Sequence, residues 1–265
     1  MNKHIFQHYI QDGVVKVQMK GKSTLNKLKA LLLLEVNKQL DQNIKGLEDL
    51  HNFCPDEIKE ALTWSMSEIF WSTDFYEEYV QKNFSIFQSF IGSGLYVQAK
   101  PFLRISRPNR PDDNIGFHRD TVYNQSPHEL SIHVPLVDLN KLSCMKFIPK
   151  SHVMHDDAFI FRDAVEISKT SKKHKMGFPW LQKSIVDDGR MVPFPVNFGQ
   201  AMFFSPSTVH GQEQNLSTKT RISFDFRVVT EYAPDDLLRE DRNSNYRLLV
   251  RSPVAEVAKL FEKTK

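Results

Sequence analysis

The stretch from Arg221 to Val228 alternates polar and apolar residues without a break, and this pattern constrains the fold more than any other. It reads RISFDFRV, with charged or hydroxyl side chains at odd positions and Ile, Phe or Val at even positions. Successive side chains of a strand point to opposite faces, so the segment predicts a strand with one polar and one strongly apolar face. The apolar face must be packed, whereas the polar face either meets solvent, the commoner outcome for a single strand, or lines a cavity.

Two further segments show the same alternation of polar and apolar residues. In YVQAKPFLRIS the polar residues alternate with apolar ones, and in LSIHVPL Ser131 and His133 do the same. Several strands with one polar side each are explained more simply by a shared polar cavity than by several exposed faces. For His133 a satisfied core histidine is the slightly favoured interpretation. The residues predicted to line a substrate or co-substrate pocket are Gln98, Lys100, Arg104, His133 and Arg227.

The order of patterns along the chain predicts an α+β fold that is mainly β, a sandwich or jelly roll that carries a helical layer. We expect one domain over residues 1–265. Residues 1–93 form a hairpin and helical support, 94–230 the jelly-roll core with a polar insert or lid at about 151–192, and 231–265 a helical tail. The insert carries a lysine cluster at Lys169, Lys172, Lys173 and Lys175.

The first 93 residues contain turn and helix signals. Asp12-Gly13 predicts a tight turn between two strands over residues 5–19. Ser23 or Thr24 is the expected cap of a long helix in which Leu recurs at three- and four-residue steps, and Cys54-Pro55-Asp56-Glu57 is typical of another helix start. Helical periodicity continues to about Phe90.

Bulk properties exclude several classes of protein. A net charge of +3 is too small to indicate nucleic acid, and no aromatic stacking platform accompanies the lysine cluster. Cys54 and Cys144 allow a single disulfide, but a pair of reduced thiols is the favoured expectation. The N-terminus lacks a hydrophobic signal core, and the longest apolar run, Ala30 to Leu34, cannot span a bilayer. We expect a cytoplasmic protein, a monomer or homodimer, acting on a small molecule.

One group of residues has the composition of a catalytic metal site: His118-Arg119-Asp120, with His210 and Arg221 downstream. Two imidazoles and one carboxylate form the facial set that binds iron(II) and leaves positions open for substrates. On a strand, His118 and Asp120 point the same way, about 7 Å apart. An arginine suits the distal carboxylate of a dicarboxylic co-substrate, because its planar fork binds carboxylate bidentately. The set indicates an oxygenase that uses iron(II), O2 and 2-oxoglutarate.

The bare motif is weak support, because ten His and 18 Asp in 265 residues give about 0.7 chance copies of His-x-Asp. A second copy does occur at His155-Asp156-Asp157. It lies in a polar segment without alternating apolar partners, so we expect it at the surface. The context of each copy decides between them.

These elements resemble those of the iron(II)- and 2-oxoglutarate-dependent dioxygenases, especially the phytanoyl-CoA dioxygenase-like branch. The similar segments are DGVVKV, GFHRD, HVPLVDLNKLSCMKFIPKSH and FGQAMFFSPSTVHGQEQNLSTKTRISFDF, between about residues 11 and 229. The resemblance implies a double-stranded β-helix (jelly roll, cupin-like) backed by N-terminal helices. It also implies metal ligands at His118, Asp120 and His210, and co-substrate binding by Arg221 with help from the Ser223 hydroxyl. Members usually have Pro-Gly-Ser-His where this chain has Pro149-Lys150-Ser151-His152, and Gly where it has Leu142-Ser143-Cys144.

The function expected from these features is hydroxylation of a small polar metabolite, such as a sugar derivative, an amino acid or a natural-product intermediate, with release of succinate and CO2. The carboxylate at Asp120 disfavours the halogenase variants of the superfamily, in which a small residue replaces it. Two alternatives stay open: a cupin-like metal dioxygenase that does not use 2-oxoglutarate, and a non-catalytic jelly-roll binding protein.

Overall fold

A computed structural model describes residues 3–123, 125–163, 183–233 and 245–262. Five helices occupy the N-terminal third: α1 (Lys3–Asp12), α2 (Lys22–Leu40), α3 (Asp56–Ser72), α4 (Phe75–Lys82) and α5 (Phe84–Ile91). The strands are β1 (Val14–Gln18), β2 (Leu95–Gln98), β3 (Phe102–Ser106), β4 (Glu129–Pro135), β5 (Lys146–Phe147), β6 (Phe161–Asp163), β7 (Lys183–Ile185), β8 (Val192–Pro193), β9 (Gln200–Phe204), β10 (His210–Gly211), β11 (Arg221–Thr230) and β12 (Tyr246–Val250), and helix α6 (Pro253–Glu262) follows.

The strands form two principal antiparallel sheets. The larger has the order β1-β9-β4-β11-β2-β12, with β3 also paired to β11, and the smaller has the order β10-β5-β8. Strand β11 is long enough to pair with β4 along one edge and with both β3 and β2 along the other. A bridge between His118 and His210 extends the smaller sheet toward the His118 segment. The jelly-roll architecture predicted from the sequence is confirmed.

The alternation in β11 divides its side chains between two environments. Ile222, Phe224, Phe226 and Val228 are all buried in the main hydrophobic core. Arg221, Asp225 and Arg227 line a polar cavity on the opposite face. The prediction that the polar face lines a cavity is therefore confirmed for this strand.

The helical layer covers the apolar face of the larger sheet. The buried stripe of α2 is Leu25, Leu28, Leu32 and Val36. Aromatic rings join helices to strands: the centroids of Phe70 and Phe224 lie 4.9 Å apart, and Phe87 stacks on Phe203 at 5.8 Å. Because this face is closed by helices, any ligand of the larger sheet must approach from the polar side.

The N-terminal hairpin prediction was wrong in its first half. Residues 3–12 form helix α1, and only the second half, β1, is a strand. Phe6 and Tyr9 of α1 pack on Phe90, with centroid distances of 4.9 and 5.5 Å. Gly13 follows with a φ of 76°, so the glycine ends a helix here instead of turning a hairpin.

Two further boundaries differ from the predictions. Ser23 and Thr24 lie inside the first turn of α2, and its N-cap is Gly21, which has no side chain to cap the helix. The tail from residue 231 is not purely helical, because β12 pairs with β2 before α6 begins. The lysine cluster of the predicted insert lies outside the described residues. Within the described ranges, none of the helices has the length and apolar character that a membrane span requires.

Candidate metal centre

His118, Asp120 and His210 converge in the lining of the polar cavity. One ligand atom from each lies within 4.8 Å of the other two. Asp120 Oδ1 is 3.4 Å from His118 Nε2 and 3.7 Å from His210 Nε2. His118 reaches this position through its paired backbone bonds with His210, whereas Asp120 begins a short 3-10 helix, Asp120–Tyr123. The prediction that His118 and Asp120 share a regular strand is therefore wrong, although the two side chains still converge.

Backbone carbonyls orient both imidazole rings. His118 Nδ1 is 2.7 Å from the carbonyl of Gly116, and His210 Nδ1 is 2.9 Å from that of Thr208. A carbonyl only accepts, so each Nδ1 carries the hydrogen and each Nε2 is the atom available as a ligand. This outer contact is the usual way in which proteins fix the tautomer of a metal-binding histidine.

The second oxygen of Asp120 is held by protein donors. Oδ2 accepts hydrogen bonds from Ser131 Oγ at 3.1 Å and from Arg227 Nη2 at 3.0 Å. Burial disfavours the charged carboxylate, but Arg227 and the two histidines more than offset that effect and hold the pKa of Asp120 well below its usual range. Asp120 is therefore ionised at neutral pH, with Oδ1 directed toward both histidines.

The donor set fits a divalent transition metal. Burial lowers the pKa of His210 to about 4, against the partial opposition of Asp120, so its imidazole is neutral at physiological pH. A neutral imidazole and an ionised carboxylate are the protonation states in which these side chains bind metal. Two imidazole nitrogens and one carboxylate oxygen leave part of the coordination sphere for other ligands, as iron(II) oxygenase sites require.

A turn behind the site ties the ligand-bearing segments together. Ser151 is fully buried; its carbonyl accepts from Arg119 Nη2 at 2.6 Å, and its hydroxyl accepts from the Val209 backbone N–H at 2.8 Å. Arg119 lies between two ligands in sequence, and Val209 precedes the third. The turn that presents Ser151 contains Lys150 with a φ of 64°, in the left-handed region that favours glycine.

The second His-x-Asp copy lies at the surface. The His155 and Asp157 side chains are 82% and 92% exposed, and their nearest atoms are 3.0 Å apart. Asp156 between them forms an ion pair with Arg119. The prediction of a surface position for this copy is confirmed.

Arg221 and Ser223 lie on the polar face of β11 with polar atoms that have no protein partner. Arg221 is buried, donates to the amide oxygens of Gln212 and Asn114, and has an Nε with no acceptor among the described residues. No carboxylate in the described ranges pairs with its guanidinium. Ser223 Oγ is buried and also without a partner in this part of the chain. Burial lowers the pKa of Arg221 to about 10, which leaves it a cation at neutral pH.

Three of the five predicted pocket residues line the cavity: Arg104, His133 and Arg227. Gln98 and Lys100 do not. The Gln98 amide donates to the Lys100 carbonyl, and the Lys100 ammonium lies 5.1 Å from the centre of the Trp71 ring in the helical layer. The strand ends at Gln98 and a new one begins at Phe102, so the alternation assumed across Pro101 is interrupted.

Sequence reasoning missed the residues that support the site. These are Ser131 beside the metal ligand Asp120, Glu129 beside Arg227, Asn114 and Gln212 beside Arg221, and Asp225 between Arg104 and His133. The alternation in β11 and β4 predicted that the side chains of Asp225 and Ser131 lie on the cavity face, but it did not predict their contacts. Nothing in the sequence gave the register that pairs them with their partners.

Comparisons with solved structures identify the fold. A non-heme monooxygenase, ThoJ, solved as a nickel complex, is 16% identical with a TM-score of 0.59, and the match covers 93% of this chain and 83% of that one. SnoK, a non-heme alpha-ketoglutarate-dependent carbocyclase from nogalamycin biosynthesis, is 16% identical with a TM-score of 0.55, covering 94% and 97%. No curated protein sequence gave a significant match.

The family is shown by the sequence itself. The profile of the phytanoyl-CoA dioxygenase (PhyH) family matches residues 41–223, more than two thirds of the chain. The matched range contains the three converging residues and Arg221 together with most of the strands around them. The chain therefore belongs to the phytanoyl-CoA dioxygenase family, and its fold is that of the non-heme iron oxygenases.

Proposed function

We propose that this protein is an iron(II)- and 2-oxoglutarate-dependent hydroxylase of a small polar metabolite. The observation that carries the proposal is the coexistence, in one cavity, of a His-Asp-His ligand set and a buried arginine that has no anionic partner among the described residues. A buried cation with only amide partners is costly, and a ligand carboxylate would satisfy it. When bound, iron(II) and 2-oxoglutarate would activate O2, release succinate and CO2, and oxidise a C–H bond of the substrate.

The roles of the chain's own residues follow from their contacts. His118, Asp120 and His210 would hold the metal through Nε2, Oδ1 and Nε2. Arg221 and Ser223 would hold the distal carboxylate of the co-substrate through the Nε–H and the hydroxyl that have no partner in the described residues. The protein's contribution is to orient these groups and to exclude water, since the reactivity belongs to the cofactors.

The cavity lining supports a polar substrate. Arg104, Asp225, His133 and Gln212 contribute charged or hydrogen-bonding groups beside a few apolar side chains. A long acyl chain would bring no hydrogen-bonding group to this lining, in which His133 Nε2 has no partner among the described residues, and this disfavours such a substrate. Substrates with hydroxyl, amino or carboxyl groups match the lining better.

The first test is anaerobic titration with iron(II) and then with 2-oxoglutarate. We expect one metal per chain, then metal-dependent binding of 2-oxoglutarate. His118→Ala should abolish metal binding, whereas His155→Ala, a matched change in the exposed copy, should leave it unchanged. Metal binding without 2-oxoglutarate binding would favour the cupin-like alternative, and the absence of stoichiometric metal would favour the binding protein.

The second test concerns turnover. A panel of polar metabolites is screened for succinate release that depends on the added compound, and Arg221→Ala should raise the required 2-oxoglutarate concentration by roughly 10- to 100-fold, the loss of a charge-assisted bond. An unchanged requirement would contradict the role given to Arg221. Anaerobic crystals with iron and 2-oxoglutarate would then show what else occupies the cavity.

A further inference from the structure

Arg227 lies between two buried carboxyl groups. Its Nη2 donates to Asp120 Oδ2 at 3.0 Å, and its Nε lies 3.4 Å from Glu129 Oε2. Glu129 is buried and does not belong to the lining of the polar cavity. Within the described ranges neither Arg227 Nε nor Glu129 Oε2 forms a hydrogen bond, so the contact between them is an ion pair. One guanidinium therefore links a candidate metal ligand to a second acid behind it.

The register of the larger sheet produces this arrangement. Ser131 of β4 is the register partner of Arg227 on β11, and its hydroxyl also donates to Asp120 Oδ2, at 3.1 Å. Glu129 lies two residues before Ser131, so both side chains point to the same face of β4. The candidate ligand is thus held directly by Ser131 and Arg227, and Glu129 acts on it through Arg227.

Two donors hold Glu129 in place. The Ser126 backbone N–H donates to its Oε1 at 3.2 Å, and the hydroxyl of Tyr246, the first residue of β12, donates to the same carboxyl group. Burial nevertheless raises the pKa of Glu129, against the opposing effects of Arg227 and of these donors. An acid whose pKa is raised by folding destabilises the folded protein when it is ionised. The charge of Glu129 therefore has a stability cost that a purely structural role does not explain.

The charges around Asp120 give that second acid a role. The low pKa of Asp120 leaves it ionised at neutral pH, and the low pKa of His210 leaves its ring neutral. Arg227 alone would cancel the charge of Asp120, and a dication bound at Oδ1 would meet an uncompensated guanidinium at the neighbouring oxygen. With Glu129 the three side chains carry two negative charges and one positive, a net charge of −1. Such a charge attracts a dication more strongly in a protein interior than in water.

We infer that Glu129, held by Tyr246, compensates the charge of Arg227 and thereby allows Asp120 to bind a divalent metal ion. The inference rests on the metal site of the proposed function and adds to it two residues outside the cavity lining. Ser131 and Arg227 fix the position of Asp120 Oδ2, and Glu129 offsets the electrostatic penalty of an arginine beside the metal. Contacts behind the ligands commonly tune metal affinity in this way.

The test is calorimetric titration of manganese(II) into the metal-free protein in the absence of 2-oxoglutarate. Glu129→Gln keeps the size of the side chain and removes its charge, so we expect binding to weaken by about 10- to 100-fold. Tyr246→Phe removes one donor to that charge and should weaken binding by about fivefold, the effect of one hydrogen bond. Glu77→Gln makes the same change in the exposed ion pair between α4 and Arg247 of β12, and this control should bind as the wild type does.

A double variant separates charge compensation from packing. Glu129→Gln combined with Arg227→Gln removes one negative and one positive charge, and Ser131 remains to donate to Asp120. Compensation predicts that the double variant binds manganese(II) more tightly than Glu129→Gln alone. If Glu129 only packs against Arg227, the second substitution adds a second loss, and the double variant binds more weakly.

Urea unfolding of the metal-free variants shows whether folding itself is affected. Glu129→Gln should unfold at the same urea concentration as the wild type, because Arg227 keeps Asp120 as its partner and the amide oxygen can still accept from Ser126. Weaker metal binding at unchanged stability is the result that a general structural defect does not give. Weaker binding that merely accompanies lowered stability would overturn the inference.

Equal manganese(II) binding by wild type and Glu129→Gln would also overturn the inference, while leaving the proposed function intact. A double variant that binds more weakly than Glu129→Gln has the same consequence. A wild type that binds no manganese(II) would remove the proposed function and the inference together. If Glu129→Gln does not fold, Tyr246→Phe decides, and unchanged metal binding in that variant counts against the role of Glu129.

Discussion

Replacing Arg221 by methionine should remove co-substrate binding without destabilising the metal-free protein. Arg221 is buried, and its partners in the described part of the chain are two neutral amides. Burial lowers its pKa from an ordinary value of about 12.5 to about 10. At about 1.4 kcal/mol per pKa unit, holding the charge in the folded protein costs about 3 kcal/mol. The folded pKa is depressed, so this cost is present at neutral pH.

The substitution also removes favourable contacts. Loss of the hydrogen bonds to Gln212 and Asn114 costs about 1 kcal/mol each. The expected net change is therefore a gain of about 1 kcal/mol in the free energy of unfolding of the metal-free protein. A binding residue that lowers stability in the absence of its ligand is a common trade-off in functional sites.

Arg107 provides the matched control. It is also buried, but it forms ion pairs with Asp113 at 2.8 Å and Asp56 at 2.7 Å. Breaking a buried ion pair typically costs about 3–5 kcal/mol, so Arg107→Met should be strongly destabilising. Urea unfolding of the three metal-free proteins at pH 7.5 makes the comparison. If Arg221→Met lowered stability by as much as Arg107→Met, Arg221 would be a structural arginine and the reasoning would be refuted.

Three further predictions follow from the metal centre. Asp120→Asn should weaken manganese(II) binding by at least about 100-fold, because a metal ligand is lost, while Asp157→Asn in the exposed copy should leave the calorimetric titration unchanged. His210 has a folded pKa of about 4, below the ordinary 6.5, so its stabilising effect is complete above pH 6.5 and is lost as the pH falls toward 4. Metal-free wild type should therefore lose about 2 kcal/mol more than His210→Gln between pH 7 and pH 5 in urea unfolding, and equal losses would contradict a buried neutral ring. Arg119→Gln should lower the free energy of unfolding by about 2–4 kcal/mol, since buried carbonyls lose charge-assisted bonds; a change below about 1 kcal/mol would show that Arg119 does not hold the turn.

The alternation of β11 was sufficient to predict its two faces, because a side-chain period of two is a property of the strand alone. The same reasoning failed for Lys100, because residues 99–101 separate β2 from β3 and belong to neither strand. It also failed for residues 5–12, whose apolar positions suit either a strand or a helix. The helical conformation of α1 is stabilised by contacts with Phe90, which is distant in sequence.

The candidate metal ligands were identified from residue types and from a family resemblance, whereas their supporting contacts depend on tertiary structure. The pairing of His133 with Asp225 joins residues 92 positions apart, and it requires the register of two strands. The orientation of Asp120 by Arg227 joins residues 107 positions apart. Such charge networks could not be predicted from local patterns, since many arrangements of the same charges fit one sequence.

Ser151 forms hydrogen bonds to both segments that carry the candidate metal ligands, and these bonds affect the entropy change of metal binding. Because one buried residue bonds to the chain beside His118 and Asp120 and to the chain beside His210, the ligands are brought together by folding and not by the metal. Metal binding then orders little additional backbone, so it should proceed with a small conformational entropy loss and little change in amide hydrogen exchange outside the site. The positive φ of Lys150 lowers the stability of the turn that presents Ser151. Lys150→Gly would remove this conformational strain and leave the hydrogen bonds of Ser151 in place.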